Sequence, residues 1–153
     1  IVQNGVVRAT HTVNKGSQKV SESIASSLEV DRESAEVLKR GMRPEGETED
    51  RTEEVRRAAV PVLDDIFSEA VQFKENFQKQ HEHELDRVLL LGGGVLLNGF
   101  EEIAQERLGL SVERAEPFAG MAAPQHLDET LKKAGPEFAV ATGVALRQLR
   151  ANT

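Results

Sequence analysis

The segment 87–109 constrains the fold of this chain most strongly, because an apolar run, three glycines and a helical pattern follow one another in it. The run 88–91 lacks alternation, which is typical of a strand buried on both faces, as in a parallel sheet. Asn98 is predicted to cap a helix, and Gly109 to end it in a left-handed conformation. The apolar side of that helix holds Phe100, Ile103, Ala104 and Leu108. The segment therefore predicts a strand, a glycine turn and a helix.

The glycine turn consists of Gly92, Gly93 and Gly94, where another group can approach the backbone closely because no Cβ stands in the way. The sequence excludes two phosphate-binding loops, the Walker loop and the Gly-x-Gly-x-x-Gly fingerprint of dinucleotide-binding proteins. No Gly-Lys-Ser/Thr follows, and 95–97 holds no glycine where a dinucleotide fingerprint needs one. The start of the helix favours an anion, while a purine would fit the bare backbone equally well. The plainest alternative is a tight turn with a close packing contact, and the turn alone does not decide between them.

Composition excludes several classes of function. The net charge is −7 with basic and acidic residues interleaved, and six Phe stand beside no Tyr or Trp. Neither a basic face nor a base-stacking platform for nucleic acid is present. The absence of cysteine excludes disulfides, thiol catalysis and cysteine zinc sites. No apolar run reaches the length of a membrane span. We expect a cytoplasmic protein without a nucleic-acid partner.

The beginning of the chain predicts a β-hairpin. Asn4-Gly5 is a strong two-residue turn signal, with a good outgoing strand over 6–13. The incoming strand over 1–3 is short, and the chain opens on Ile1 rather than Met. We therefore expect a piece of a longer protein.

Three helices are predicted before the central segment. Four-residue spacing of Val20, Ile24 and Leu28 indicates the first, and Asp31 is predicted to cap the second. After an exposed loop over 42–50, apolar residues recur every three or four positions from 52 to about 80, which predicts a long helix. Pro61 should kink or divide it. The inward residues are predicted to be Ala35 and Leu38 in the second helix, with Val37 a further candidate, and Val55, Ala59, Val62, Ile66, Ala70, Phe73 and Phe77 in the third.

The end of the chain completes a strand-helix-strand unit, with a second strand predicted over 110–115 and parallel to the first. A short helix is then predicted to end at Gly135-Pro136. A final helix over 137–149 should place Phe138, Ala141, Thr142, Ala145 and Leu149 inward. The pair of histidines in 81–84 lacks the spacing and third ligand of a metal site, so no metal ligands are expected.

Three separated stretches resemble one superfamily. Leu-Leu-Leu-Gly-Gly-Gly-Val-Leu-Leu-Asn-Gly-Phe over 89–100 resembles the adenosine motif of the actin-like ATPases. The stretch 16–39, which ends in Ala-Glu-Val-Leu-Lys, resembles the preceding segment of the PilM and FtsA families. Glu-Pro-Phe at 116–118 and the stretch 135–147 resemble the closing segment of the PilM family of type IV pilus assembly proteins. In the stretch 16–39, Gly16-Ser17 departs from the paired glycines common in the PilM family.

The resemblance implies that residues 1–153 form a single partial lobe, the second large lobe of an actin-like (ribonuclease H-like) α/β fold, from the C-terminal half of a longer protein. It implies a mixed sheet with the N-terminal hairpin and helices packed on it. Gly92, Gly93 and Gly94 would lie against adenine and the α-phosphate, while Glu36 and Lys39 would reach the ribose and purine. The i, i+3 spacing of Glu36 and Lys39 places both side chains on one helical face. A surface ion pair is the alternative for Glu36 and Lys39.

By the same resemblance, the longer protein would bind ATP with Mg²⁺, and this piece would hold no cofactor, since its first strand and both phosphate loops are missing. Without a complete constellation, no hydrolysis by the piece itself is expected. Expected partners are a PilN-like cytoplasmic tail, through the absent lobe, and the pilus inner-membrane platform. Self-association is left open. The expected location is the cytoplasmic face of the inner membrane. Rival interpretations are an FtsA-like cell-division polymer protein, a sugar or acetate kinase lobe, and a helical scaffold that binds no nucleotide.

Overall fold

The computed structural model describes residues 1–42 and 50–151, which form an α/β arrangement that is mostly helical. Its strands are β1 (Val2–Gln3), β2 (Val6–Val7), β3 (Arg87–Leu90) and β4 (Ser111–Arg114). Its helices are α1 (Ser17–Leu28), α2 (Arg32–Lys39), α3 (Thr52–His81), α4 (Phe100–Leu108) and α5 (Asp128–Ala151). Two 3-10 helices cover Gly93–Leu96 and Gln125–Leu127. Most of the loop predicted over 42–50 lies outside the described residues.

Helices α1 and α2 form as the sequence predicts. Val20, Ile24 and Leu28 are buried on α1, as are Ala35 and Leu38 on α2. The Asp31 carboxylate accepts a hydrogen bond from the Ser34 amide at 2.9 Å and so caps α2. This satisfies one of the amide groups that the first helical turn leaves without an intrahelical partner.

Helix α3 runs unbroken for 30 residues through Pro61, so of the two predicted alternatives, a kink or a division, the division is wrong. Pro61 lies on the exposed side of the helix. The carbonyl that loses its helical donor can therefore meet solvent there, which limits the destabilisation. The buried face also differs in part from the predicted one, because Leu63 and Phe67 are buried while Val62 and Ile66 are only partly so.

Among the described residues, two separate two-stranded sheets stand in place of the mixed sheet expected from the resemblance. Strands β1 and β2 pair antiparallel around Asn4-Gly5, and β2 is much shorter than the predicted strand over 6–13. Strands β3 and β4 pair in parallel, from Arg87 opposite Ser111 to Leu90 opposite Arg114, as predicted. Burial of β3 on both faces is not observed, because Leu89 is 54% exposed.

Helix α4 begins after Gly99, not at Asn98, so the predicted cap is wrong. Gly99 adopts a left-handed conformation (φ 75°) and no side chain caps the helix. The other end agrees with the prediction, since Gly109 closes α4 at φ 65°. Ile103, Ala104 and Leu108 are buried, and Phe100 packs against the core.

Helix α5 continues through Gly135-Pro136, where the sequence predicts a break. Both residues are buried, and the position of a Cβ on Gly135 would lie 3.1 Å from the Pro117 ring. Tertiary packing therefore overrides the local signal. The predicted inward face is also wrong, because Phe138 and Leu149 are 49% and 65% exposed.

One hydrophobic core joins α1, α2, α3 and α4 to the β3–β4 pair. Ile24 and Leu63 are its largest fully buried aliphatic side chains. Over the part of the chain that the structure describes, the helices fall short of the length and apolar character that a membrane span needs. The core holds the start of α1, the end of α2 and the glycine turn in fixed positions.

Candidate functional site

The glycine turn connects β3 to α4 and needs glycine at its first position. Gly92 has φ 92° and ψ 163°, a conformation that L side chains rarely adopt. Its amide donates a hydrogen bond to the Pro136 carbonyl at 2.7 Å. A Cβ on Gly92 would meet nothing within 4 Å. Gly92 thus combines a fixed backbone conformation with open space beside it.

The next two glycines lie against side chains of other elements. A Cβ on Gly93 would stand 3.2 Å from Glu137 Oε1, and a Cβ on Gly94 would stand 3.4 Å from Ser17 Cβ. Ser17 is the first residue of α1, and Glu137 belongs to α5. The missing Cβ of Gly93 therefore gives room to Glu137 of α5, whereas Ser17 of α1 lies at an ordinary contact distance from the position of a Cβ on Gly94.

A polar cluster around Lys39 adjoins the turn through Ser17. The Lys39 side chain is only 4% exposed. Its ammonium donates to Ser17 Oγ at 2.8 Å, to Ser21 Oγ at 2.8 Å and to Glu36 Oε1 at 2.7 Å. A lysine ammonium has three N–H donors, so all of them are engaged. Lys39 therefore fastens the start of α1 to the end of α2.

Glu36 is the exposed member of this cluster. Its side chain is 37% exposed, and its carboxylate also accepts from the Ser21 hydroxyl. Partial burial raises the pKa of the Glu36 carboxyl, but hydrogen bonds from Lys39 and Ser21 and the charges of Lys39 and Arg40 outweigh burial. The pKa is lowered as a result, and the carboxylate stays ionised with a side open to solvent.

Arg40 and Glu137 form an ion pair across the turn, with Nη2 and Oε1 2.9 Å apart. Gly41 follows with φ 71°, and a Cβ there would stand 3.6 Å from Asn98 Cβ. The end of α2 therefore contacts both Glu137, within α5, and Asn98, just before α4. Within residues 1–42 and 50–151, no group of three His, Cys, Asp or Glu is placed to hold a metal ion.

The structure brings the five predicted site residues into one neighbourhood. Glu36 and Lys39 are bonded to each other, and Lys39 reaches Gly94 through Ser17. Their contact with a nucleotide stays a prediction. Reasoning from the sequence missed Ser17, Ser21 and Glu137. The first two stand one turn apart at the start of α1, a spacing that places them on one face and was available as a signal.

Chemically, the arrangement offers acceptors rather than free donors. The open side of the Glu36 carboxylate can accept hydrogen bonds from the hydroxyl groups of a ligand. The Lys39 ammonium has no donor to spare unless one of its protein partners is exchanged. The open space beside Gly92 lets a flat group approach backbone directly. The cluster thus offers an ionised acceptor in Glu36, and the turn offers open backbone at Gly92.

The fold is similar to that of a solved structure. It is described as "PilM-PilN type IV pilus biogenesis complex" and matches with a TM-score of 0.67 and 32% sequence identity. The match covers 84% of this chain and 35% of that chain, so the present chain spans about a third of its length. A search of the curated proteins gives no match. The shared architecture makes this an α/β lobe of the kind found in that complex.

A family model described as "Type IV pilus assembly protein PilM" matches residues 1–149. The chain therefore belongs to the PilM family, as the resemblance of its three stretches predicts. The match to the solved structure and the family together imply an actin-like fold. They favour PilM over the FtsA-like and kinase rivals.

Proposed function

We propose that this chain is one lobe of a longer PilM-like protein of type IV pilus assembly, and that it supplies the adenosine half of an ATP site. In this proposal the phosphate loops come from the rest of the polypeptide, and ATP binds with Mg²⁺. The nucleotide holds two lobes together, so the protein acts as a scaffold rather than through turnover. The arrangement of polar groups at the glycine turn supports this role.

A continuous series of contacts between separate elements carries the proposal. It runs from Glu36 through the Lys39 ammonium to Ser17, whose side chain packs on Gly94. A buried ammonium is unfavourable unless it is well paired, so such a cluster calls for an explanation beyond packing. The explanation in this proposal is that Lys39 holds the Glu36 carboxylate beside the glycine turn. In this arrangement Glu36 accepts from ribose hydroxyls, and Lys39 acts mainly by fixing the position of that carboxylate.

The proposed partner is a PilN-like cytoplasmic tail. The solved relative is described as a complex of PilM with PilN. By extension, the longer protein would bind such a tail through its other lobe and join the pilus machinery at the cytoplasmic face of the inner membrane. The matched segment is about a third of that relative, and in this proposal the tail-binding residues lie outside it.

A second candidate function is a scaffold that binds no nucleotide. The contacts of Gly93 with Glu137 and of Gly94 with Ser17 favour it, because both bare positions are filled by protein. The polar cluster would then only join α1 to α2. The two candidates differ in whether Glu36 has a ligand.

Titration of fluorescently labelled ATP with Mg²⁺ against the full-length protein separates them. We expect saturable binding by the wild type and binding weaker by about fivefold or more for Glu36→Gln, since a charge-assisted hydrogen bond becomes a neutral one. Glu33→Gln, on the same helix α2 and exposed, is the matched control and should bind like the wild type.

The nucleotide proposal fails if the folded wild type shows no saturable binding. It also fails if Glu33→Gln and Glu36→Gln both bind as the wild type does. Far-ultraviolet circular dichroism of each variant establishes that the comparison is made between folded proteins.

A further inference from the structure

The Glu137 side chain lies beside Gly93, in the space that the absence of a Cβ leaves open. A ligand that rested on the Gly93 backbone would need the same space. Its Oε1, Cγ and Cδ atoms lie 3.2, 3.6 and 3.7 Å from the position of a Cβ on Gly93. Real Cβ atoms rarely meet neighbours as close as the first of these distances. The bare face of Gly93 is therefore occupied by the Glu137 side chain.

The position of Glu137 is held from two sides. Its carboxylate pairs with Arg40 at 2.9 Å, and the preceding residue, Pro136, accepts the Gly92 amide at 2.7 Å. Pro136 is fully buried, so the backbone at this point of α5 is fixed. A change at this point of α5 therefore has to come from the Glu137 side chain, which is 27% exposed.

We infer that Glu137 is an affinity-determining residue of the nucleotide site, whose side chain covers Gly93 and must leave before the nucleotide can rest there. This inference depends on the proposed nucleotide function. The same space cannot hold a carboxylate and a purine or ribose ring. Each binding event therefore includes the opening of the Arg40–Glu137 pair.

Opening this pair is feasible because both partners are partly solvated. The Arg40 and Glu137 side chains are 42% and 27% exposed. Ion pairs with this degree of exposure contribute little, and both side chains regain hydration when they separate. The effect of Glu137 on affinity should therefore be modest and measurable, not absolute.

The test compares labelled ATP binding, with Mg²⁺, by full-length wild type, Glu137→Ala and Glu137→Gln. We expect Glu137→Ala to bind about two- to fivefold more tightly, the range set by a partly exposed ion pair. Glu137→Gln keeps the bulk but loses the charge, so its gain should be smaller. Glu129→Gln, an exposed residue in the first turn of the same helix, is the matched control and should bind like the wild type.

Unchanged or weaker binding by both Glu137 variants, with a wild type that binds, overturns this inference and leaves the proposed function intact. A wild type that does not bind removes both. If Glu137→Ala loses its cooperative thermal unfolding, Glu137→Gln decides alone: tighter binding supports the inference and unchanged or weaker binding contradicts it.

Discussion

Replacing the buried lysine with methionine tests whether the polar cluster holds α1 to α2. Lys39→Met keeps the aliphatic stem but removes the ammonium that bridges Ser17, Ser21 and Glu36. Hydrogen bonds to a charged group contribute about 1.5–3 kcal/mol each. They do not simply add, because the ammonium also carries a desolvation penalty of several kcal/mol that the variant avoids.

The environment of the three partners reduces the expected loss further. Glu36 is 37% exposed and can regain water, and the single proton of the Ser21 hydroxyl keeps an acceptor, either the Glu36 carboxylate or the Ser17 carbonyl. We therefore expect a net loss of about 2 kcal/mol, between the values for a surface pair and for a fully buried one. At this chain length that corresponds to a fall in Tm of about 4–8 °C.

Urea unfolding followed by far-ultraviolet circular dichroism at neutral pH measures this loss. Lys19→Met is the matched control, because Lys19 forms an i, i+3 pair with Glu22 that is well exposed. Its urea midpoint should not change. The double variant Glu36→Gln/Lys39→Met should lose less than the sum of the single variants, since each removes the same interaction. A loss below about 0.5 kcal/mol for Lys39→Met would refute the structural role of the cluster.

Two further predictions concern pH and the glycine turn. The partners of Glu36 lower the pKa of its carboxyl from the ordinary value of 4.5. The contribution of Glu36 to stability is therefore present above about pH 4.5 and is lost as the pH falls through the lowered pKa. Urea midpoints measured across that pH range should fall less steeply for Glu36→Gln than for the wild type. Gly92→Ala should destabilise the protein by about 1–3 kcal/mol because residue 92 has a positive φ. Gly94→Ala places its new methyl at an ordinary contact distance from Ser17, so it should change stability by less than about 0.5 kcal/mol in the same unfolding assay.

Local periodicity was sufficient to predict most of the helical framework. The spacing of Val20, Ile24 and Leu28 gives the buried face of α1, and Asp31 identifies the start of α2. The parallel pairing of β3 with β4 also follows from the strand-helix-strand pattern. In each case the determining residues are close in sequence, so the pattern contains the information.

The predictions that failed depend on contacts between distant residues. Gly135-Pro136 predicts a helix end, yet α5 passes through it because Pro117 and Gly92 pack and bond at that point. Phe138 has the spacing of an inward residue, but its contact is the Phe118 ring and half of its surface remains exposed. Periodicity cannot show which partner, if any, covers a face.

The candidate site divides in the same way. The glycine turn and the Glu36–Lys39 pair were identified from sequence, through a resemblance and an i, i+3 spacing. The saturation of the Lys39 donors by Ser17 and Ser21, and the place of Glu137 over Gly93, depend on how three helices meet. Such distances follow from tertiary packing alone.

Hydrogen–deuterium exchange of the full-length protein, with and without saturating ATP and Mg²⁺, tests most directly whether the glycine turn and the end of α2 hold the adenosine. The account predicts slower exchange at the amides of 92–94 and 36–41, with little change along 52–81 of α3. If ATP binds and slows exchange elsewhere, while both of these segments exchange as in the free protein, the account is contradicted.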